Sequence, residues 1–464
     1  MALAITQHPL YTLNPVGQEV IFTVQDVDTV ADYYKVKFIA EVHISDSDIN
    51  LATSTAIGTF KTTPNNAGVG MFDFRPVAET YVSSDNLAAI GSEYKTDATS
   101  DIITHPLPLI DKFSLNSNSV RYIKIRFKVE GATTATGIPA VIDTEDSSQY
   151  TLINGYLKHT DVQDRDVDGN FGFDTAVFQA GGVGLQRFLT NAPLTQYVNI
   201  NDYGTVSFVA TPLAGYEAQT TVTYVKIINY LEGGIPVYNI DVDNTDANGG
   251  NTTWDSDTTN QMLHFGCFPA NIRGWNTTLA DSIAVSEWYT VQAYNASDVA
   301  ISEKLSIYVN CPNKKGFEPI RLKWLNQWGA WDYYTFNMKS TKALSTKGST
   351  YEQLSGTWND RIYSPSGYKG GKKSFRVNTT EKISMNTDFV NEAEASWFEE
   401  LVNSPEVYIL EGFQDDPSTP LLSTYVTPAR LTTSNYTKKT IANDKLIQYT
   451  FEVEKSKTLR TQAI

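Results

Sequence analysis

Cysteine is nearly missing from this chain of 464 residues, which carries only Cys267 and Cys311. Two cysteines build no disulfide framework, and their spacing fits no zinc site. They read as buried thiols rather than a bridge. Histidine is almost as scarce. His8, His43, His105, His159 and His264 stand apart. None belongs to a His-x-x-x-His pair or adjoins a Ser or Cys nucleophile motif, so nothing here spells a catalytic centre. The carboxylate pairs Asp415-Asp416 and Glu399-Glu400 read as solvated surface. No window approaches about eighteen apolar residues, so no membrane span is expected. The first residues lack the basic-then-apolar order of a secretory signal, which reads as a chain made, and kept soluble, in a cytoplasm. Long helical periodicity is also lacking, which argues against a doubly wound or barrel enzyme.

What is present is aromatic and strand-forming. Aromatic residues make up 12% of the chain, with 26 Tyr, and short Thr-, Val- and Tyr-rich runs are punctuated by Asn, Asp, Gly and Pro. That pattern is mainly β: several β-sandwich or antiparallel-sheet domains in series, with one helix packed on the C-terminal sheet. Four domains are expected, at 1–115, 116–204, 205–312 (an Ig-like sandwich) and 313–464. The last boundary falls at Cys311-Pro312-Asn313-Lys314-Lys315-Gly316, where proline, glycine and a change of charge coincide. Residues 314–464 hold 20 Lys+Arg and 17 Asp+Glu, leaving 16 and 35 for the first 313. Such an acidic body is a poor nucleic-acid binder, because phosphate contacts need clustered cations. It suits a body with one end docked on a partner.

Along the first half, Tyr34 to Ile44 and Arg121 to Glu130 alternate as strands with one wet face. Ala56 to Thr63 and Val69 to Phe74 read as a hairpin about Pro64-Asn65-Asn66, and Gln196 to Asn201 and Thr205 to Ala210 as strands joined at Asp202-Tyr203-Gly204. Thr220 to Leu231, Trp288 to Tyr294 and Lys304 to Val309 supply the sandwich, with a polar loop over Asp241 to Asn260. In the last domain Lys372 to Thr379 and Ile383 to Thr387 read as strands. Asn391, with Glu394 three residues on, caps a helix bearing Ala395, Trp397, Phe398 and Leu401, with Glu392, Glu399 and Glu400 facing water.

Two stretches carry candidate sites. Asp164, Asp166 and Asp168, followed by Gly169, alternate as in the first half of a calcium loop and are candidate ligands of a structural Ca2+. The twelfth position is Thr175 rather than a bidentate Glu, so a helix-loop-helix hand is not expected. Asp241, Asp243 and Asp246 are a poorer version. The second stretch, Ile320 to Ser340, is the densest aromatic passage, and reads as a β-hairpin about Gly329. Ile320, Leu322 and Trp324 face a core, with Arg321 and Lys323 on the other side. Trp324 and Phe336 should pack beneath the helix carrying Phe398. Trp328 and Trp331, at the hairpin tip, are hard to bury within one chain, and are expected at a subunit interface.

Three passages together resemble virion structural proteins of tailed bacteriophages: Pro15 to Phe74; Phe188-Leu189-Thr190-Asn191-Ala192-Pro193; and Arg321 to Asn337 with Ser404-Pro405-Glu406-Val407 and Asn443 to Leu446. The resemblance spans nearly the whole chain, but rests on packing and turn residues rather than a catalytic signature. It implies a non-enzymatic, distal-tail-like tail or baseplate component of the virion, a homo-oligomeric ring among other tail proteins. The alternative is a carbohydrate-binding adhesin that meets a host surface glycan.

Overall fold

The structure, a computed structural model, describes residues 2–11, 13–84, 113–116, 118–158, 161, 174–179, 184–209, 222–243, 262–310, 316–357, 361–411, 426–433, 435–438 and 447–459. The fold is mainly β and divides into two compact units. The first comprises Met1–Cys311 and also takes in Leu325–Asp332; the second is built from Pro312–Trp324, Tyr333–Gly412 and Ser423–Ile464.

Among the described residues, four sheets form the first unit. Strands Ala4–Gln7, Ile21–Gln25 and Val69–Asp73 make one. A second runs Leu13–Pro15, Tyr150–Ile153, Val120–Ala132, Tyr34–Ser45 and Gly58–Thr62, with Ala140–Asp146 also paired to Val120–Ala132. Their inner faces share a core of Phe22, Phe38, Phe72, Phe74, Phe127 and Ile125, so these two sheets form a sandwich. The third sheet runs Thr195–Asn199, Leu305–Asn310, Trp288–Tyr294, Tyr224–Leu231 and Ile235–Asp243. The fourth consists of Thr205–Val209, Met262–Gly266 and Phe113–Asn116. Ile227, Val291 and Ile307 from the third meet Phe208 and Phe265 from the fourth, and helices Pro269–Trp275 and Thr277–Ala284 close the same core through Ile272, Leu279 and Ile283. Cys267 is buried in that core.

Two of the expected boundaries do not survive this pairing. Val120–Ala132 is bonded to Tyr34–Ser45 across 115/116. Thr195–Asn199 pairs in parallel with Leu305–Asn310 across 204/205. The expected hairpin about Pro64-Asn65-Asn66 is also corrected. Gly58–Thr62 pairs with Tyr34–Ser45 and Val69–Asp73 with Ile21–Gln25, so the turn at Asn65 carries the chain from one sheet to the other. Thr205–Val209 likewise pairs with Met262–Gly266 rather than with its predecessor. Alternation shows that a segment is a strand; its partner is chosen by the core it completes.

Among the described residues the main sheet of the second unit has seven strands, in the order Trp331–Phe336, Ile320–Leu325, Val407–Leu410, Val426–Leu431, Thr450–Lys455, Gly371–Asn386 and Ser340–Gln353. Helix Glu392–Asn403 packs on it. Its capping box is complete: the Asn391 side chain accepts from the Glu394 amide at 2.9 Å, and the Glu394 carboxylate accepts from the Asn391 amide at 2.7 Å. Trp324 meets Trp397 at 5.1 Å between centroids, and Phe398 lies 4.9 Å from Tyr334 and 5.6 Å from Phe451. Glu400, expected to face water, is buried.

Candidate functional site

Trp328 and Trp331 are not at a surface. They are 2% and 3% exposed, which corrects their assignment to a subunit interface. Trp328 stacks 4.6 Å from Phe178 and belongs to a core with Leu13, Val120, Ile153 and Met262. The hairpin tip is a plug in the first unit, so the rest of that unit provides the cover that a lone hairpin lacks.

The turn residues explain how the tip is held. Asn326 Oδ1 accepts from the amides of Trp328 and Ala330, both at 3.0 Å, and its Nδ2 donates to the Leu189 carbonyl at 2.8 Å and to Asp332 Oδ1 at 3.0 Å. Thr190 Oγ1 donates to the same Asp332 oxygen at 2.6 Å. Gly329 sits at φ 72°, and a Cβ there would lie 2.2 Å from the Asn154 carbonyl, so only glycine fits.

Behind the tip, Ile320–Leu325 is buried on both faces rather than one. Arg321 donates to Thr335 Oγ1 at 2.7 Å, with its guanidinium 5.4 Å from the Tyr333 centroid. The Lys323 ammonium lies 5.3 Å from the same ring. Burial holds the Lys323 pKa well below its ordinary 10.5, against the opposing attraction of Glu406. An amine of that kind could act as a nucleophile, but Lys323 is wholly enclosed, so no substrate reaches it.

The depressed pKa has a sign. Folding favours the neutral amine, so full stability holds above 10.5 and is lost as pH falls from there toward the folded pKa. Lys323→Met is therefore expected to stabilise the second unit at pH 7, by on the order of 1 kcal/mol, and to give no gain above pH 10.5. Urea denaturation at both pH values checks it.

Two Ser–His pairs emerge that sequence spacing could not show. Ser207 Oγ lies 2.7 Å from His264 Nδ1 across paired strands, and Ser54 Oγ lies 2.8 Å from His43 Nδ1. Both rings are buried, and burial lowers the His43 pKa, so these pairs read as polar contacts inside the core. Among the described residues no group of three or more His, Cys, Asp or Glu side chains converges on a metal-sized point. Asp164, Asp166 and Asp168 lie outside the described residues. No described helix is long and apolar enough to cross a membrane.

One surface was missed from sequence. Ser340–Gln353 and Gly371–Asn386 pair over their full lengths as a ribbon. Gly371–Asn386 joins Thr450–Lys455 only through Lys382 to Asn386, and meets Leu459 at Thr379. The outer part, Gly371 to Asn378, pairs only with its ribbon partner among the described residues, which is roughly 27 Å of free-standing ribbon. Its residues are exposed on both faces, and Leu344, Phe375, Ile362 and Tyr368 are bare apolar side chains along it and at its tip. Tyr351 and Phe375 make an edge-to-face contact at 6.5 Å. At the return, Gly370 at φ 97° leaves no room for a Cβ, which would fall 2.6 Å from Ser355 Cα. Lys372 to Thr379 is the expected half of this ribbon; the overlooked signal was the Thr-rich β propensity of its partner, Ser340–Gln353.

A row of rings crosses the third sheet: Tyr230 on Trp288 at 4.2 Å, Trp288 on Tyr308 at 5.7 Å, and Tyr308 on Tyr197 at 5.3 Å, all near parallel. Rings stacked this way occupy one another's faces and stabilise the sheet.

No protein-family model matches the chain, and no curated protein matches it. Among solved structures, the native conformation of Escherichia coli alpha-2-macroglobulin aligns with 82% of this chain and 22% of its own, at 8% identity and a TM-score of 0.19. The trypsin-activated form of that protein aligns with 83% and 40%, at 10% identity and a TM-score of 0.12. The chain thus spans well under half the length of either, and at these scores the likeness assigns neither fold nor function.

Proposed function

We propose that this chain is a non-enzymatic structural component of a tailed-phage virion, a ring-forming tail or baseplate protein. The observation that carries the reading is the free-standing ribbon. A two-stranded ribbon is at best marginally stable alone in water, so one that keeps apolar side chains bare on both faces is built to be covered by another surface. The phage setting rests on the sequence resemblance. Negative-stain electron microscopy of the purified protein is expected to show closed rings. Isolated particles of monomer size would contradict it.

Exposed Tyr363 and Tyr368 at the ribbon end favour a second reading, a carbohydrate-binding adhesin. A stable monomer that binds a polysaccharide array, and loses binding with Tyr368→Ala, would favour that reading over assembly.

A further inference from the structure

We infer that the ribbon docks on the first unit of a second copy of this chain, along the exposed edge strand Ala140–Asp146. The inference rests on the assembly reading and names the surfaces that would make the ring.

The first observation is charge. Between Ala343 and Thr380 the sequence carries Lys347, Arg361, Lys369, Lys372, Lys373 and Arg376 against Glu352 and Asp360. At the ribbon base the cations are already engaged: Lys342 with Glu318 at 2.8 Å and Lys382 with Glu452 at 3.0 Å. Farther out, Lys347, Lys372, Lys373 and Arg376 are exposed and make no ion pair among the described residues. The whole chain is at −16, so two copies repel unless a local patch of opposite sign meets the acidic body. The ribbon is such a patch, and the 35 acidic residues of the first 313 are its complement.

The second observation is the edge. Ser340–Gln353 is the last strand of its sheet, with one side unpaired among the described residues. Among the described residues Ala140–Asp146 pairs only with Val120–Ala132, and it is exposed along nearly its full length. Exposed edges of this kind are templates for strand addition, and folded proteins usually shield them. This one holds Asp143, Glu145 and Asp146 within seven residues, with Val141 and Ile142 bare and Ile138 beside them. Asp143 also accepts from the Leu3 amide at 2.9 Å, and Asp146 is held by Arg126 at 2.7 Å, which leaves Glu145 as the outward carboxylate. An acidic, partly apolar edge thus faces the chemistry of a basic, partly apolar ribbon.

Light scattering after size exclusion tests this on the full chain. The parent is expected to assemble, and to weaken as salt rises from about 0.05 to 0.5 M, where the screening length shortens several-fold. In a shortened variant, residues 347–378 are replaced by Asn-Gly; Thr346 and Thr379 are directly paired, so a two-residue turn can close them. That variant should be monomeric while keeping the parent's circular dichroism. K372E/K373E/R376E should weaken association at least ~10-fold, and adding T144K/E145K to the same chain should restore it. Assembly of the shortened variant at parental strength would overturn the docking and leave the assembly reading intact. Failure of T144K/E145K to rescue would overturn the choice of edge strand. A parent that stays monomeric at every salt concentration overturns the docking outright.

Discussion

Replacing Trp328 by alanine is expected to destabilise the first unit by about 3–5 kcal/mol, among the largest effects of any single change in the chain. The ring is 2% exposed and stacked on Phe178 at 4.6 Å, within a core that also holds Tyr11, Leu157 and Leu189. Alanine removes the whole indole from a site walled by several strands, so the cavity cannot collapse and the transfer and cavity contributions add. Urea denaturation followed by circular dichroism measures the loss. The same variant distinguishes core from interface. Below its melting temperature Trp328→Ala should associate like the parent. A variant of parental stability with weakened association would return Trp328 to the subunit contact that its place at a hairpin tip first implied.

Asn326→Ala should cost at least about 3 kcal/mol, although it removes only a small polar group. The Asn326 side chain satisfies four partners at once: two tip amides, the Leu189 carbonyl and Asp332. Alanine leaves buried backbone groups without those bonds, and no packing gain offsets the loss. Asn326→Asp keeps the acceptor toward Trp328 and Ala330 but loses both donated bonds and sets a second carboxylate against Asp332, so it should be no better tolerated. Hydrogen exchange localises the effect. The Trp328 and Ala330 amides should lose protection first, ahead of the Ile21–Gln25 and Val120–Ala132 strands. Unchanged protection at those two amides would mean that the turn is held by something other than Asn326.

How legible the chain was depended on whether local pattern or long-range pairing decided the outcome. Tyr34–Ser45, Val120–Ala132 and the aromatic hairpin were readable because a buried face imposes alternation on the residues themselves. Helix Glu392–Asn403 was readable because its capping box is local chemistry. Strand partners were not, since Gly58–Thr62 and Thr205–Val209 look the same whichever neighbour they join. Charge misled at Arg321 and Lys323, which alternate like a wet face yet lie buried around Tyr333. Strand Ser340–Gln353 escaped notice for the opposite reason. With both faces exposed it needs no apolar alternation, so its Ser, Thr and Lys carry no strand period. The surface that best fits an assembly role is therefore the one least visible to periodicity.

Mass spectrometry of purified phage particles tests the central claim most directly. Peptides of this chain should copurify with intact virions through a density gradient, in several copies per particle. Their absence from particles, with the protein abundant in the infected-cell lysate, would contradict the structural role.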